Sequence, residues 1–365
     1  MARTPLELPD FPWDALVPYG DRAREHPDGI IDLSVGSPVD PTPAVIRDAL
    51  AAATDAHAYP QTAGTPLLRE AIVDWFARRR GVDDLSVANV IPTIGSKELI
   101  ALLPGFFGLG PRDVVVQPQV AYPTYAIGAA LVGADVVASG DPADWPSNTR
   151  LVWLNSPGNP DGQVLTTEQL KAAVERAREL GAIVVSDECY AEFAWASDRA
   201  TPSILDPRVI AGERNSVLAV YSLSKQSNLA GYRAGFIAGC SDLIGELLAV
   251  RKHVGLIPPA PVQAAMVAAL GDDAHVDVQR ELYRARRAKL APAVEAAGFR
   301  IDHSEAGLYL WATDGGDAWD AVARLADRGI LVTPGSFYGD AGARHVRIAL
   351  TATDAAIDSA AARLS

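Results

Sequence analysis

The chain has 365 residues, of which 49% are hydrophobic and 21% are charged, and 45 acidic against 32 basic residues give it a formal net charge of −13. This apolar content is sufficient for a large buried core and excludes an intrinsically disordered chain. The acidic balance argues against nucleic acids and anionic membranes as partners. The length corresponds to about two domains of average size.

The sequence contains no predicted membrane span and no predicted export signal. Its most apolar segment, 99–109, is interrupted by Pro104 and Gly105 and is too short to cross a bilayer. The first thirteen residues include three prolines and lack an apolar core, so no signal peptide is expected. Cys189 and Cys240 are too few for a disulfide framework and lack metal-ligand spacing. We therefore expect a cytoplasmic protein.

In chain order, two apolar helical patterns come first, over 43–53 and 67–80. Four short runs follow that are apolar on both faces, and each predicts a buried strand of a parallel sheet: 113–117, 150–155, 182–187 and 216–221. Their alternation with helical patterns predicts an α/β domain with right-handed crossover connections.

A well-delimited helix is predicted between the second and third of these strands. Thr166 and Gln169 have the spacing of a capping box, in which each side chain accepts a backbone N–H of the other residue. Apolar residues then recur at helical intervals, and Gly181 is positioned to end the helix.

The C-terminal third of the chain follows a different pattern. A long helical pattern over 261–297 is expected to break near Gly271 and Pro292. Strand patterns follow at 307–311, 329–332 and 345–350, and a helical pattern lies at 319–328. We therefore predict a large α/β domain over 41–257 and a smaller α+β domain formed by 1–40 and 258–365.

Several common kinds of chemistry lack their motifs in this sequence. Neither the GxGxxG nor the GxxxxGK[ST] phosphate-binding loop is present, which argues against the usual NAD and ATP sites. The six histidines form no HExxH or HxxxH pair, so no metal site is expected. The GxSxG nucleophile motif is also absent.

Two residues at the ends of predicted strands are candidates for catalysis. Lys225, in Ser222-Leu-Ser-Lys225, follows the last buried strand, at the sheet edge where α/β proteins bind ligands. A desolvated lysine near other cations has a lowered pKa and attacks carbonyl groups; the alternative is a solvated surface lysine. Asp187 ends the preceding strand, where it can pair with the protonated ring nitrogen of pyridoxal phosphate (PLP); the alternative is a turn cap.

Four motifs in fixed order give the sequence a family resemblance: Asn155-Ser-Pro-Gly-Asn-Pro-Asp-Gly162, Ser186-Asp-Glu-Cys-Tyr190, Ser222-Leu-Ser-Lys225 and Gly231-Tyr-Arg233. Together they resemble the signature of the class I and II aminotransferases, which are PLP enzymes of fold type I. The resemblance extends from Ser34 to Arg347. It implies the aspartate-aminotransferase-like fold, whose large domain has a mostly parallel seven-stranded sheet flanked by helices. It also implies a PLP cofactor and amino transfer between amino and keto acids.

The resemblance implies a role for each matched residue around the PLP ring. Lys225 would bond to PLP and move the proton between the substrate α-carbon and the cofactor. Asp187 would pair with the pyridine nitrogen, and Asn159 and Tyr190 would hydrogen-bond the phenolic oxygen. Tyr122 matches the aromatic residue that stacks on the ring.

A second group of matched residues would bind the PLP phosphate. Gly95, Ser96 and Lys97 match the phosphate loop, and they precede an apolar helix whose N-terminus would face the phosphate. Ser222 and Arg233 would add a hydroxyl and a guanidinium group. Lys97 is equally well explained as a solvated lysine at a helix start.

The remaining matches concern the substrate and a second subunit. Arg347 would bind the substrate α-carboxylate through two parallel hydrogen bonds, and Gly36 would let the chain approach that carboxylate. Tyr59 resembles the tyrosine that reaches the phosphate of the neighbouring subunit, which implies a homodimer with shared active sites. Taken singly, Tyr122 and Tyr190 are more typical of core aromatics, Arg347 of a surface ion pair and Gly36 of a turn.

Three segments most resemble the short actinobacterial N-succinyldiaminopimelate aminotransferases of lysine biosynthesis: 8–14, 64–69 and 94–98. Their substrate, N-succinyl-LL-2,6-diaminopimelate, exchanges its amino group with glutamate and 2-oxoglutarate. Its distal carboxylates require a further cation, for which Lys97, Arg22 and Lys252 are candidates.

Three other functions stay open on the sequence alone. The first is an aminotransferase for aspartate, an aromatic amino acid or histidinol phosphate. The second is a PLP-dependent C–S β-lyase, which shares the catalytic residues. The third is a non-catalytic amino-acid sensor, which is less favoured because the chain shows no basic N-terminal arm.

Overall fold

The computed structural model describes residues 8–195 and 201–365. Residues 1–7 lie outside the described residues, and with them the beginning of the predicted small domain and of the N-terminal segment in which no signal peptide is expected. Residues 196–200 of the predicted large domain also lie outside. Within the described ranges, no helix combines the length and the apolar character that crossing a membrane requires.

The described part of the chain contains α-helices at Val17–Arg24 (α1), Ala44–Ala52 (α2), Pro66–Trp75 (α3), Lys97–Phe106 (α4), Thr124–Val132 (α5), Thr167–Leu180 (α6), Pro207–Ile210 (α7), Leu223–Gln226 (α8), Ser241–Val254 (α9), Ala260–Gly271 (α10), Ala274–Ala296 (α11), Ala318–Asp327 (α12) and Asp354–Leu364 (α13). Its strands are Ile31–Asp32 (β1), Val90–Ile94 (β2), Val114–Gln117 (β3), Asp135–Ala138 (β4), Thr149–Asn155 (β5), Ile183–Asp187 (β6), Val217–Ser222 (β7), Ala234–Gly239 (β8), Arg300–Ile301 (β9), Tyr309–Thr313 (β10), Ile330–Leu331 (β11), Thr333–Pro334 (β12) and Val346–Ala349 (β13).

Helix α6 begins and ends where its sequence predicts. The Thr166 side chain accepts from the Gln169 backbone N–H at 3.2 Å, and the Gln169 side chain accepts from the Thr166 backbone N–H at 2.8 Å. Gly181 ends the helix in the left-handed region, with φ of 64°. The predicted capping box is therefore confirmed.

Seven strands form the central sheet, in the order β2-β8-β7-β6-β5-β3-β4. Strands β4, β3, β5, β6 and β7 pair in parallel, whereas β8 runs antiparallel to both β7 and β2. The predicted mostly parallel, seven-stranded sheet is confirmed. The four apolar runs of the sequence correspond to β3, β5, β6 and β7.

Helices cover both faces of this sheet, so its inner strands are buried on both sides, whereas the edge strand β4 is largely exposed. In β5, Val152 and Leu154 belong to one apolar cluster, while Leu151 and Trp153 belong to the cluster on the opposite face. This alternation follows from the two-residue period of a strand and explains why the run is apolar throughout.

The carboxyl ends of the parallel strands β5, β6 and β7 meet at one edge of the sheet. Asn155 at the end of β5 is the register partner of Asp187 at the end of β6, and Ser222 ends β7. Since side chains at such an edge face the ligand crevice of α/β proteins, the topology gathers three motifs in one place.

Residues from both ends of the chain share a second apolar cluster, in which Leu16, Ile31 and Leu33 pack with the C-terminal residues of 283–364. Strand β1 pairs in parallel with β11, and β12, β13, β10 and β9 form an antiparallel sheet. The division into domains at 40/41 and 257/258 stays a prediction. Helix α10, which lies beyond the predicted boundary, packs in the cluster of the seven-stranded sheet.

The predicted break near Gly271 is confirmed, but the break near Pro292 is wrong. Helix α11 continues from Ala274 to Ala296 with Pro292 inside it. Proline removes one backbone hydrogen bond from a helix. In a helix of 23 residues whose Leu290, Ala291 and Val294 are buried, tertiary packing outweighs that loss.

Candidate active site

Lys225 lies in the short helix α8, directly after the end of β7. The Ser222 hydroxyl caps this helix by accepting from the Ser224 backbone N–H at 3.2 Å, which fixes where the helix begins. The Lys225 ammonium donates to the carbonyl oxygen of Gly36. Burial lowers the pKa of Lys225, and the guanidinium groups of Arg347 and Arg233 act in the same direction. The reading of Lys225 as a solvated surface lysine is therefore wrong.

Asp187 is buried at the end of β6, with 5% of its surface exposed. One carboxylate oxygen accepts from the Tyr125 hydroxyl at 2.9 Å, and the other accepts from the Cys189 backbone N–H at 3.2 Å. Burial raises the pKa of Asp187 because the charged form is desolvated. The Cys189 contact is the turn cap that the sequence offered as the alternative role. The described hydrogen bonds of the buried carboxylate include no cationic partner.

Tyr125 is a site residue that the sequence motifs did not indicate. Its ring stacks on Trp153, with ring centroids 4.9 Å apart and planes 14° apart. Tyr122, which the sequence did select, meets Tyr125 edge to face at 5.8 Å. Burial raises the pKa of Tyr122 to about 12.

Arg347 lies on β13 and is 4% exposed, so it is not a surface ion-pair partner. One terminal nitrogen donates to the Asn159 side-chain oxygen at 3.0 Å, and the other donates to the Ser34 carbonyl at 2.6 Å. The rings of Tyr309 and Tyr338 flank the guanidinium at 4.1 and 5.1 Å. Its Nε has no hydrogen-bond partner among the described residues.

Asn159 is held on the loop between β5 and α6 by the same motif that contains it. Its backbone N–H donates to the side-chain oxygen of Asn155 at 2.8 Å, and Asn155 in turn donates to the Asp187 carbonyl at 2.9 Å. The motif Asn155-Ser-Pro-Gly-Asn159 therefore places Asn159 between the end of β6 and Arg347.

Tyr190 forms a hydroxyl pair with Tyr309, another residue that the sequence analysis did not select. The two oxygens are 3.1 Å apart, and the rings meet at 69° with centroids 5.7 Å apart. Gly36 lies against this pair, since a Cβ at position 36 would overlap the Tyr309 hydroxyl. Glycine is thus required at this position by a close approach and not by a turn.

The predicted phosphate loop lies at the N-terminus of α4. Gly95 has φ of 64°, and a Cβ there would overlap the Arg233 guanidinium. Ser96 precedes α4 without capping it through its side chain. Arg233 donates to Glu98 at 3.0 Å, so its charge is shared with a carboxylate in the first turn of α4. Lys97 is exposed.

Three of the residues predicted from the sequence do not lie with Lys225, Asp187 and Arg347 in this chain. The Tyr59 side chain is fully exposed. Lys252 is exposed in the last turn of α9. Arg22 on α1 forms an ion pair with Asp327 on α12, so its charge is already partnered.

The groups that are gathered here fit the two ends of PLP. Ser222, Arg233 and the free backbone N–H groups at the N-terminus of α4 suit a phosphate. Asp187, buried and acidic, suits a protonated ring nitrogen, and Tyr190 supplies a hydroxyl. Gly36 and Gly95 let the side chains of Tyr309 and Arg233 approach the backbone closely.

Comparison with known proteins decides the family. The model of the family "Aminotransferase class I and II" matches residues 28–364, which include the whole site. The chain belongs to this family. The aminotransferase is therefore a PLP-dependent enzyme, and its sheet and flanking helices are those of the aspartate-aminotransferase-like fold.

Three known proteins illustrate what the aminotransferase is similar to. The 4-dedimethylamino-4-oxo-anhydrotetracycline transaminase OxyQ of Streptomyces rimosus is 56% identical, over 98% of this chain and 99% of that protein. The probable aminotransferase Rv1178 of Mycobacterium tuberculosis is 55% identical, over 98% and 85% of the two chains. The solved N-succinyldiaminopimelate aminotransferase of Mycobacterium tuberculosis has a TM-score of 0.86 and 26% identity, over 96% of both chains.

Proposed function

We propose that the aminotransferase acts on substrates that carry a carboxylate at the reacting carbon, and that Arg347 binds this carboxylate. The supporting observation is that Arg347 is buried and that its Nε lacks a partner among the described residues. An unpaired donor on a buried cation is unfavourable, and a carboxylate satisfies it with two parallel hydrogen bonds. Asn159 and Ser34 hold the guanidinium in one orientation, so the bound carboxylate is oriented too.

The catalytic roles follow from where the buried groups lie. PLP, when bound, supplies an aldehyde that captures amines and a ring that withdraws electrons from the bond being broken. Lys225, whose pKa is lowered by burial, takes a proton from the substrate α-carbon and returns it. Asp187 stabilises positive charge on the ring nitrogen. Arg347 turns the substrate so that its α-hydrogen faces Lys225.

Other side chains hold the cofactor in place. Asn159 and Tyr190 would donate hydrogen bonds to its phenolic oxygen, and Tyr122 would stack on its ring. Gly95, Ser96 and Lys97 at the N-terminus of α4 would bind its phosphate, together with the side chains of Ser222 and Arg233.

The first candidate substrate is N-succinyl-LL-2,6-diaminopimelate, with glutamate and 2-oxoglutarate as the second pair. It meets the requirement for a carboxylate at the reacting carbon. The likeness to a solved N-succinyldiaminopimelate aminotransferase supports it. Of the three cations considered for its distal carboxylates, Lys97 and Lys252 are the better candidates because Arg22 is paired with Asp327.

A second candidate substrate is a ring ketone of the anhydrotetracycline class. The 56% identity to OxyQ, whose name states an oxo-anhydrotetracycline substrate, favours it. The two candidates differ in what Arg347 must do, because a ketone without a neighbouring carboxylate gives the guanidinium no bidentate partner.

A substrate panel tests the proposal. The PLP-loaded enzyme receives glutamate with N-succinyl-2-amino-6-oxopimelate, oxaloacetate, phenylpyruvate, imidazole-acetol phosphate or an oxo-anhydrotetracycline, and 2-oxoglutarate formation is measured. The highest kcat/KM is expected with the succinylated keto acid. Cystathionine serves as a control for C–S lyase activity, which would release a thiol, pyruvate and ammonia. Higher efficiency with the ring ketone would overturn the first candidate.

Replacement of Arg347 by lysine is expected to lower kcat/KM for keto acids by about 100-fold, because lysine keeps the charge but loses the bidentate geometry. The absorption spectrum of bound PLP should stay as in the wild type. Arg22→Lys is the matched control, since Arg22 pairs with Asp327 at the surface, and it should leave kcat/KM unchanged. An unchanged kcat/KM in Arg347→Lys contradicts the proposed role.

We further propose that the enzyme is a homodimer in which Tyr59 contacts the PLP phosphate of the other subunit. The complete exposure of Tyr59 and the 62% exposure of Leu67 support a surface that is covered in an assembly. Light scattering should give twice the mass of one chain. Tyr59→Phe should weaken PLP binding about 10-fold, as expected for a hydrogen bond to a charged group. Tyr19→Phe is the control, and equal PLP affinities in both variants would argue against a shared site.

A further inference from the structure

Tyr309 lies at the centre of the site, but it is neither one of the residues proposed to hold PLP nor one of those proposed to bind the substrate. It is the first residue of β10 and is 3% exposed. Its hydroxyl is 3.1 Å from that of Tyr190, and its ring lies 4.1 Å from the guanidinium carbon of Arg347. The Gly36 backbone, whose carbonyl accepts from Lys225, packs directly on the Tyr309 hydroxyl.

The hydroxyl pair has only one consistent arrangement if Tyr190 donates to the cofactor. A tyrosine hydroxyl has one proton, so Tyr190 cannot donate both to the phenolic oxygen of PLP and to Tyr309. Tyr309 must then be the donor of the 3.1 Å bond and Tyr190 its acceptor. A hydroxyl that accepts a hydrogen bond is polarised and donates its own proton more strongly.

The ring of Tyr309 has a separate effect on Arg347. Strands β10 and β13 pair antiparallel with Trp311 opposite Arg347 and Tyr309 opposite Ala349, so Tyr309 is the diagonal neighbour of Arg347. At this distance the ring face attracts the guanidinium, and the attraction is strongest where both groups are buried. The ring therefore limits the positions that the guanidinium can take.

We propose that Tyr309 is a positioning residue that acts on both ends of the reacting centre: its hydroxyl directs the Tyr190 proton toward the cofactor, and its ring holds Arg347 against the substrate carboxylate. This inference rests on the proposed roles of Tyr190 and Arg347. The two effects belong to different parts of one side chain, so phenylalanine and leucine separate them.

The first test is the pH titration of the visible absorption band of bound PLP. A hydrogen-bond donor to the phenolic oxygen of PLP withdraws negative charge that favours protonation of the cofactor. Weakening this donor therefore raises the pH at the midpoint of the titration. Tyr309→Phe is expected to raise this midpoint by about 0.3 to 0.5 pH units, and Tyr190→Phe by more. The other titratable groups that face this hydroxyl pair are unchanged in Tyr309→Phe and in Tyr190→Phe: Lys225, Arg347, Cys189, Tyr122 and Tyr338.

Tyr338→Phe is the matched control for this titration. The Tyr338 ring also flanks Arg347, but the hydroxyl that pairs with Tyr190 is that of Tyr309. Its midpoint should equal that of the wild type. An unchanged or lowered midpoint in Tyr309→Phe overturns the inference if Tyr190→Phe still raises it. If Tyr190→Phe leaves the midpoint unchanged as well, the proposed role of Tyr190 fails together with the inference.

The second test measures binding of glutarate, an unreactive dicarboxylate, through its effect on the PLP spectrum. Tyr309→Phe keeps the ring and should keep the wild-type Kd. Tyr309→Leu removes the ring and should raise the Kd about fivefold. Equal Kd values for the leucine and phenylalanine variants would show that the ring does not position Arg347.

Discussion

Lys225→Ala is expected to lower the transamination rate by at least about 10⁴-fold, because in the proposed mechanism this one side chain both bonds to PLP and transfers the proton. The variant should still bind PLP through the groups proposed to hold its phosphate, which are Ser222, Arg233 and the N-terminus of α4, but without a covalent bond. Borohydride reduction followed by peptide mass spectrometry measures this bond directly. In the wild type, the peptide that contains Lys225 should gain the mass of the reduced cofactor.

The control for this prediction is Lys171→Ala, which removes an exposed lysine paired with Glu175 on α6. Its rate and its labelled peptide should match those of the wild type. Covalent PLP in Lys225→Ala, on any other lysine, would show that the attachment site has been assigned to the wrong residue.

Asp187→Asn is expected to lower kcat by about 10²- to 10³-fold, the usual effect of removing one group that stabilises developing charge. Asparagine has nearly the same shape, so the fold should be retained. Asp317→Asn is the control, since asparagine still caps α12 at position 317, and its kcat should be unchanged. A wild-type kcat in Asp187→Asn would contradict a pairing with the ring nitrogen.

The same substitution gives a second result that does not depend on activity. Burial raises the pKa of Asp187 above that of the unfolded chain, so the folded protein binds its proton more tightly and loses stability as the pH rises through this raised pKa. A positive ring nitrogen beside the carboxylate offsets this loss. PLP should therefore raise the Tm of the wild type more than that of Asp187→Asn, and differential scanning fluorimetry measures the difference.

Apolar runs in the sequence predicted four strands of the central sheet and did not predict β2, β4 and β8. Strand β2 contains Pro92, which breaks a simple strand pattern. Strand β8 contains Gly235, where a Cβ would come within 2.9 Å of the Tyr221 carbonyl. Strand β4 lies at the sheet edge with Asp135 exposed, so it lacks the two-sided apolar pattern. Their strand conformation is stabilised by pairing with neighbours and not by local pattern.

The candidate site divides in the same way. Asn155, Asp187 and Ser222 could be placed together from the sequence, because each ends a predicted strand of one parallel sheet. Tyr125 and Tyr309 could not, since their hydroxyl partners lie 62 and 119 positions away in the chain. Neither residue has a local pattern that distinguishes it from a core aromatic.

The sequence by itself determined the class of the fold, the family and the residues at the strand ends, because strand periodicity, helix caps and ordered motifs are set by neighbours a few positions apart. Only the tertiary structure decided which of these groups are buried, charged and partnered. It brings Ser34 to Arg347 across 313 positions and leaves the Arg347 Nε without a partner among the described residues. Such contacts depend on how the sheet that contains β10 and β13 meets the residues that follow β5 and β6, as in the bonds Arg347–Asn159 and Tyr309–Tyr190. Burial then changes the pKa of Lys225 and Asp187.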